Sequence, residues 1–120
     1  MKRTQEIYIS DIFEAIKSVE KFMEDVEWEN FRINDEKQSA VFRKLEIIGE
    51  AASHISPASR KKYSDIPWRQ ICAFRNKIIH EYFGINAQRV WNIVEDDLPV
   101  LKKQIEKILE LMDKNQKKLF

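Results

Sequence analysis

The chain has 120 residues, and 43% of them are hydrophobic, which is enough for the core of one compact domain; we predict a single domain over residues 1–120. Its net charge of +1 excludes a surface that binds nucleic acid over its whole extent, and its lone cysteine, Cys72, excludes an internal disulfide. Charged residues interrupt every apolar run and no stretch resembles a signal peptide, so we expect a soluble, cytoplasmic protein.

The first half of the sequence predicts two long helices, because apolar residues recur at spacings of three and four and strand-type alternation is absent. The first is predicted over residues 4–26, and the second begins at a cap provided by Asn34 or Asp35. Gly49 and the alanines that follow it would let another helix approach closely. The two apolar seams consist of Ile9, Ile12, Ile16, Val19, Met23 and Val26, and of Val41, Leu45, Ile48, Ala52 and Ile55.

The second half predicts a short connecting helix and two further long helices. Ser56-Pro57, a capping serine before a first-turn proline, opens the short helix. The third long helix begins at Pro67 and ends before Gly84, and Asn86 caps the fourth, in which Pro99 predicts a kink or a restart. The fold class predicted is therefore all-α, an antiparallel four-helix bundle with a short connecting helix and a kinked last helix.

Basic side chains are concentrated between residues 60 and 89. Seven basic and two acidic residues there give a balance of +5, whereas the other 14 basic and 18 acidic residues sum to −4. This distribution suits a phosphate-bearing ligand bound at one site, although solvated helix faces that happen to be basic would give the same count. The basic residues are Arg60, Lys61, Lys62, Arg69, Arg75, Lys77 and Arg89.

Several kinds of catalytic site are excluded by the residues available. Glu50 and His54 form the only helical pair of a carboxylate and a histidine one turn apart, and no further metal ligand lies near them in sequence. Gly49 and Gly84 stand alone, so no glycine-rich phosphate loop is present. Nothing marks a serine or cysteine nucleophile, and Cys72 is interpreted as a small core residue. We expect neither a metal nor another cofactor.

The remaining candidate site lies on the third long helix, where Arg75, Asn76, His80 and Tyr82 fall within eight residues. Arg75 occupies a face that should be buried, so it should form a structural salt bridge, line a cleft or hold an anion. His80 follows Asn76 by one turn, so the amide can orient the imidazole ring. Tyr82 lies on the apolar stripe, where an ordinary core aromatic is the alternative.

This segment is predicted to be only part of a site. At about 100° per residue, Arg75 and His80 lie roughly 140° apart around the helix axis, so a second helix or a second chain should complete the cleft. The second long helix carries a mixed stripe that suits a cleft wall, in which Glu50 could pair with Arg75, orient a histidine or remain solvated. The stripe consists of Arg43, Ile47, Glu50 and His54.

Two blocks of the sequence resemble the HepT-like branch of the HEPN superfamily. The first runs from Ile47 through Gly49-Glu50-Ala51 to Ala52, and the second contains Ile66-Pro67-Trp68 and continues from Phe74 to Ile85. The family pattern is arginine, four residues, histidine, one residue, tyrosine. Arg75, His80 and Tyr82 match it position for position.

The resemblance implies a homodimer of helical bundles in which both copies of the motif face a shared cleft. It also implies a toxin of a toxin–antitoxin pair that cleaves RNA without a metal ion. The partner implied is an MntA-like minimal nucleotidyltransferase antitoxin, which transfers AMP to Tyr82 and silences the toxin. Catalytic roles are thereby assigned to Arg75 and His80, with Asn76, Tyr82 and Glu50 in support.

These residues can cleave RNA without a metal because the ribose 2′-hydroxyl is an internal nucleophile. We expect His80 to act as general base or acid, Arg75 to hold the scissile phosphate, and Tyr82 to contact the phosphate or ribose. The alternative is a non-catalytic regulatory module that binds a nucleotide or the nucleotidyltransferase. A third interpretation, a purely structural dimerisation domain, predicts Arg75 in an internal ion pair with no open cleft beside it.

Overall fold

The structure, a computed structural model, describes the backbone of residues 4–80 and 87–117 and the side chains of residues 4–77 and 87–114. These ranges are helical and contain no strand, which confirms the predicted all-α class. No helix within them has the length and apolarity needed to cross a membrane. In chain order the helices are α1 (Gln5–Phe22), α2 (Trp28–Phe31), α3 (Asp35–Ser53), α4 (Pro57–Lys62), α5 (Trp68–His80), α6 (Ala87–Asn92) and α7 (Leu98–Lys117), with a π-helical turn (Ile93–Asp97) between the last two.

The four long helices pack as an antiparallel bundle around α1 and α3. Helix α1 packs against α3 and α7, and α3 also packs against α5. The Lys37 ammonium at the start of α3 donates a 2.9 Å hydrogen bond to the carbonyl of Phe22 at the end of α1. Lys102 near the start of α7 forms a 2.9 Å ion pair with Glu20, also near the end of α1. Helix α1 therefore runs antiparallel to both neighbours.

The predicted apolar seams form the core. All the seam residues of the first two long helices are buried except Val26, which packs partly buried at the edge. From the second half of the chain, Trp68 on α5 is buried, while the side chains of Ile78, Ile79 and Tyr82 lie outside the described residues. The buried residues from α6 and α7 are Val90, Leu98, Leu101, Ile105 and Ile108.

The first helix is shorter than predicted. It ends at Phe22 rather than at residue 26, and Asp25 adopts a left-handed conformation with φ of 60°. A left-handed residue interrupts the helical hydrogen-bond ladder, and aspartate tolerates this conformation better than most side chains. The turn leads into α2, a four-residue helix that the sequence pattern did not predict and that buries Phe31 completely.

Two predicted caps form, and Arg60 adds a contact that spacing alone did not indicate. The Asn34 side chain accepts a 2.9 Å bond from the Lys37 amide, and the Ser56 hydroxyl accepts a 3.1 Å bond from the Ser59 amide. Arg60 on α4 donates to the carbonyls of Ile55 at 3.2 Å and Ala52 at 3.0 Å. It thus adds a side-chain bond to the Ala52 carbonyl, which also accepts a 3.1 Å bond from the Ile55 amide, and binds the Ile55 carbonyl just beyond α3.

The break predicted near Pro99 is a π-helical turn just before it. The Leu98 amide bonds to the carbonyl of Ile93, five residues back rather than four. Pro99 has no amide hydrogen, and its ring would clash with the carbonyl four residues earlier, so the regular α-helical pattern cannot pass through this point. The wider turn absorbs that interruption, and α7 continues beyond it.

Candidate functional site

Helices α3 and α5 approach most closely where Gly49 meets Arg75. A Cβ atom added at Gly49 would overlap the Cβ of Arg75 and would lie 2.7 Å from its Cγ and 3.3 Å from its Cα. Only a residue without a side chain fits there. The predicted close approach at Gly49 is confirmed, and it places Arg75 against the middle of α3.

The Arg75 guanidinium is held by two side chains. Its Nη2 donates a 2.5 Å hydrogen bond to Oε2 of Glu50, and its Nη1 donates a 3.2 Å bond to Oδ1 of Asn76. The Nε atom is buried and has no hydrogen-bond partner among the described residues. Because the side chain is only 29% exposed, Arg75 is held in place rather than free in solvent.

Glu50 joins Arg75 to a second basic side chain. Its other carboxylate oxygen, Oε1, lies 3.2 Å from Nε2 of His54, one helical turn further along α3. The His54 ring stacks on the ring of Tyr8 from α1, with centroids 4.8 Å apart and planes inclined by 10°. One carboxylate thus links Arg75 on α5 with a stacked pair of rings between α1 and α3.

These side chains line an open groove with a volume of about 460 Å³. All four residues of the stripe predicted on the second long helix contribute to it. Sequence reasoning missed Tyr8 and Asp11, which lie one turn apart on α1, because no local pattern relates them to a residue on α3 more than 40 positions later. The lining residues are Tyr8, Asp11, Arg43, Glu46, Ile47, Glu50, Ala51, His54 and Arg75.

The basic residues between positions 60 and 89 do not all face this groove. Arg75 lines it, but Arg60 holds the end of α3, and the Arg89 guanidinium lies 5.6 Å from the centre of the Phe74 ring. Within the groove, Arg43 forms a 2.9 Å ion pair with Glu46. Of the seven basic residues in this segment, Arg75 alone lines the groove, so the positive balance of the sequence is not concentrated there.

A larger, mainly apolar cavity of about 730 Å³ lies between α3, α5 and α7. Ile71, Phe74 and Leu101 are among its lining residues, and Asp97 lies at its edge. Desolvation of the Asp97 carboxyl group, aided by the charge of Asp96, raises the pKa of Asp97. This cavity contains none of the predicted site residues.

The remaining predicted site residues are described only in part. Helix α5 extends to His80, but the His80 side chain and the whole of Tyr82 lie outside the described residues, as does any contact of Asn76 with His80. The described residues include no group of three or more His, Cys, Asp or Glu side chains able to hold a metal ion. Cys72 is partly buried, with its Sγ 3.4 Å from Nη2 of Arg60, and is not among the residues that line the groove.

The third interpretation from the sequence, a purely structural domain, predicted an ion-paired Arg75 without an open cleft. Arg75 is ion-paired with Glu50, but the pair lines an open groove. The structure therefore has both the ion pair, which this interpretation predicted, and an open groove, which it did not. It leaves the arginine both structurally supported and next to space that a ligand can enter.

The sequence profile of the ribonuclease HepT-like family matches residues 12–108, which include Gly49, Glu50 and the segment from Arg75 to Tyr82. The chain belongs to this family. The resemblance stated from the sequence is thus confirmed at the level of the HepT-like ribonucleases, and with it the expectation of a nuclease. Tyr8 and Asp11, on the α1 wall of the groove, precede the matched segment.

Individual relatives of this HepT-like chain match over most of its length. It is 41% identical over 108 residues to "Probable ribonuclease HepT" of Thermococcus cleftensis, covering 90% of this chain and 98% of that protein. It is 39% identical over 105 residues to a "Putative RNase" of Methanocaldococcus jannaschii, covering 88% and 96% respectively. A further protein of that organism, "Gamma-glutamylcyclotransferase and putative RNase", is 37% identical over 116 residues, covering 97% of this chain but 52% of that protein. No solved structure matches the chain.

Proposed function

We propose that this HepT-like protein is a metal-independent endoribonuclease whose site comprises Arg75 and His80, supported by Asn76, Tyr82 and Glu50. The observation that carries the proposal is the Arg75–Glu50 pair, held at 2.5 Å on the wall of an open groove. Family membership supplies the substrate class, RNA. The groove supplies space beside a fixed cation.

Cleavage requires proton movement and stabilisation of charge, and both can come from side chains. The ribose 2′-oxygen attacks the adjacent phosphorus atom while its proton leaves, and the 5′-oxygen departs and gains a proton. His80 moves these protons. Arg75 stabilises the extra negative charge on the phosphoryl oxygens through charge-assisted hydrogen bonds.

Glu50 has a positioning role in this proposal. A guanidinium has five N–H donors, of which the bonds to Glu50 and Asn76 occupy two. A fixed arginine loses less conformational freedom when it binds phosphate than a freely moving one does. The fork of donors is therefore already oriented when RNA enters.

We further propose that the site acts in a homodimer. Arg75 and His80 diverge by roughly 140° around an ideal helix, which favours a cleft completed from a second chain. A proton donor and a proton acceptor are both needed, and two copies of His80 would provide them. The dimer thus explains how a motif with one histidine can perform both proton transfers.

The biological role that fits this chemistry is a toxin neutralised by an MntA-like nucleotidyltransferase. The Tyr82 hydroxyl would attack the α-phosphorus of ATP, forming a phosphodiester with AMP and releasing pyrophosphate. The added nucleotide carries a negative charge and a base close in sequence to Arg75, so it would compete with RNA for the same cation.

The ribonuclease proposal is tested by incubating purified protein with single-stranded RNA in EDTA. Wild-type protein should cleave, and His80→Ala should not, while both keep the same circular dichroism spectrum. A wild-type protein that binds RNA but leaves it intact, with or without Mg²⁺, would instead favour the non-catalytic nucleotide-binding or nucleotidyltransferase-binding module.

The partner proposal is tested separately by co-expression with a minimal nucleotidyltransferase, followed by intact mass measurement. The toxin should gain the mass of one or more AMP groups, and Tyr82→Phe should gain none. Unchanged mass in the wild type, or an equal gain in the phenylalanine variant, contradicts modification at Tyr82.

A further inference from the structure

We infer that Tyr8 and His54 form a subsite on which one base of the bound RNA stacks, beside the phosphate site at Arg75. The inference rests on the proposed function in that RNA is taken as the ligand. It assigns to two aromatic side chains the recognition of a nucleotide base, a step separate from the cleavage reaction.

Two contacts hold the His54 ring, and a third holds its backbone. Its Nε2 lies 3.2 Å from Glu50, and its ring stacks on Tyr8 with planes inclined by only 10°. The backbone carbonyl of His54 accepts a 3.4 Å hydrogen bond from Nε2 of Gln5. The Oε1 atom of the same Gln5 side chain accepts a 2.8 Å bond from the Ser56 amide. A ring fixed in this way presents a flat surface at little further entropic cost.

The ring pair remains accessible to a ligand. The His54 side chain is 49% exposed, although it is the C-cap residue of α3 and lies between two helices. Both His54 and Tyr8 line the groove that also contains Arg75. A base entering this groove can extend the existing stack, because unpaired RNA bases are commonly recognised on tyrosine and histidine rings.

The rings and Arg75 lie close enough together for one nucleotide to place its base on the rings and its phosphate on the guanidinium. A single carboxylate, that of Glu50, contacts both His54 and Arg75 through its two oxygens. A base on the rings would therefore lie within a nucleotide's length of a phosphate on the guanidinium. Of the other acidic side chains that line the groove, Glu46 on α3 is paired with Arg43, and Asp11 lies on the α1 wall.

The inference is tested by binding rather than by cleavage. The probe is a short single-stranded RNA with 2-aminopurine as its bases and with every 2′-hydroxyl methylated, so that the internal nucleophile is blocked. Stacking quenches 2-aminopurine fluorescence, and fluorescence anisotropy of an end label gives affinity. Wild-type protein should bind and quench, whereas His54→Ala and Tyr8→Ala should bind roughly 5- to 100-fold more weakly, the range typical of one lost base stack.

Conservative variants separate stacking from other roles. His54→Phe and Tyr8→Phe keep flat rings and should retain quenching, although the first loses its bond to Glu50. Tyr63→Ala removes an aromatic ring that does not line the groove and serves as the control; it should bind as wild type does.

Three results would overturn the inference: no quenching by the wild type, wild-type binding by both alanine variants, or a loss with His54→Phe as large as with His54→Ala. The last would assign His54 to holding Glu50. Failure of the ribonuclease proposal is recognised separately, as intact unmodified RNA in the EDTA assay. Quenching with the expected variant pattern but without cleavage would keep the base subsite and remove the enzyme.

Discussion

Arg75 is the residue on which the proposed site depends, and its position is set by the residue opposite. Because Gly49 has no side chain, the Cα and Cβ of Arg75 lie directly against α3. From there its guanidinium donates a hydrogen bond to Glu50, the residue that follows Gly49 on α3. The arginine that looked anomalous on an apolar helix face in the sequence is thus explained by one glycine and one glutamate.

Substituting Gly49 by alanine should therefore disturb both stability and activity. The added methyl group would overlap Arg75, and overpacking of this kind costs about 1–3 kcal/mol, partly offset by about 1 kcal/mol of improved helix propensity. We expect a net decrease of roughly 1 kcal/mol in the unfolding free energy, measured by urea denaturation. RNA cleavage should decrease as well. A variant as stable and as active as wild type would show that the contact between the helices is not tight.

Some contacts of these residues were predictable from the sequence, and others were not. Glu50 was expected to pair with Arg75, to orient a histidine or to remain solvated. It contacts both Arg75 and His54 through its two oxygens, and its side chain is still 49% exposed. The Tyr8–His54 stack was not predicted. Its rings are 46 positions apart, and only the packing of α1 on α3 brings them together.

At the scale of the elements, Arg60 joins three helices. It extends from α4 to the carbonyls of Ala52, in the last turn of α3, and Ile55, just beyond it, and its Nη2 lies 3.4 Å from the Sγ of Cys72 on α5. Helix α4 is thus more than a connector. It fixes the end of the helix that carries Glu50 and His54.

Replacing Arg60 with alanine should lower the unfolding free energy by about 1–3 kcal/mol, the range for lost hydrogen bonds that involve a charged group. Lys61→Ala is the matched control, since it removes the same charge from the next residue of α4, where the side chain is exposed. The control should stay within about 0.5 kcal/mol of wild type. Equal losses in the two variants would assign the effect to net charge instead of the contacts with α3.

Element boundaries were less predictable than element faces. The apolar seams were predicted because burial imposes a helical period on the sequence, and the Asn34 and Ser56 caps because short polar side chains can accept amide hydrogens. The early end of α1 depends on the left-handed backbone at Asp25. The π-helical turn before Pro99 depends on which carbonyl the Leu98 amide bonds to where proline interrupts the α-helical pattern. Neither choice is encoded in residue spacing.

In a homodimer, the site can be complete within each chain or shared between the two chains. Residues from α1, α3 and α5 line the groove. Of the family motif, Arg75 is among them, whereas the side chains of His80 and Tyr82 lie outside the described residues. If two copies of His80 serve one cleft, an inactive subunit should inactivate its partner. A site complete within each chain would be indifferent to the partner.

Mixing subunits distinguishes these cases. Wild-type and His80→Ala chains should be combined at constant total concentration, unfolded together and refolded. With a shared site, activity should fall as the square of the wild-type fraction, so an equal mixture retains about a quarter of full activity. Retention of one half would contradict the shared site. Sedimentation of the refolded mixture as a dimer is the necessary control.

Cleavage by the ribose 2′-hydroxyl without a metal predicts a definite set of RNA ends, which distinguish this mechanism from metal-dependent hydrolysis. The measurement is mass spectrometry of the products formed from a defined oligonucleotide in EDTA. Attack by the 2′-hydroxyl predicts 2′,3′-cyclic phosphate and 5′-hydroxyl ends, formed by the wild type and lost with Arg75→Ala and His80→Ala. Products with 5′-phosphate ends, or cleavage that appears only when a divalent metal is restored, would contradict the mechanism.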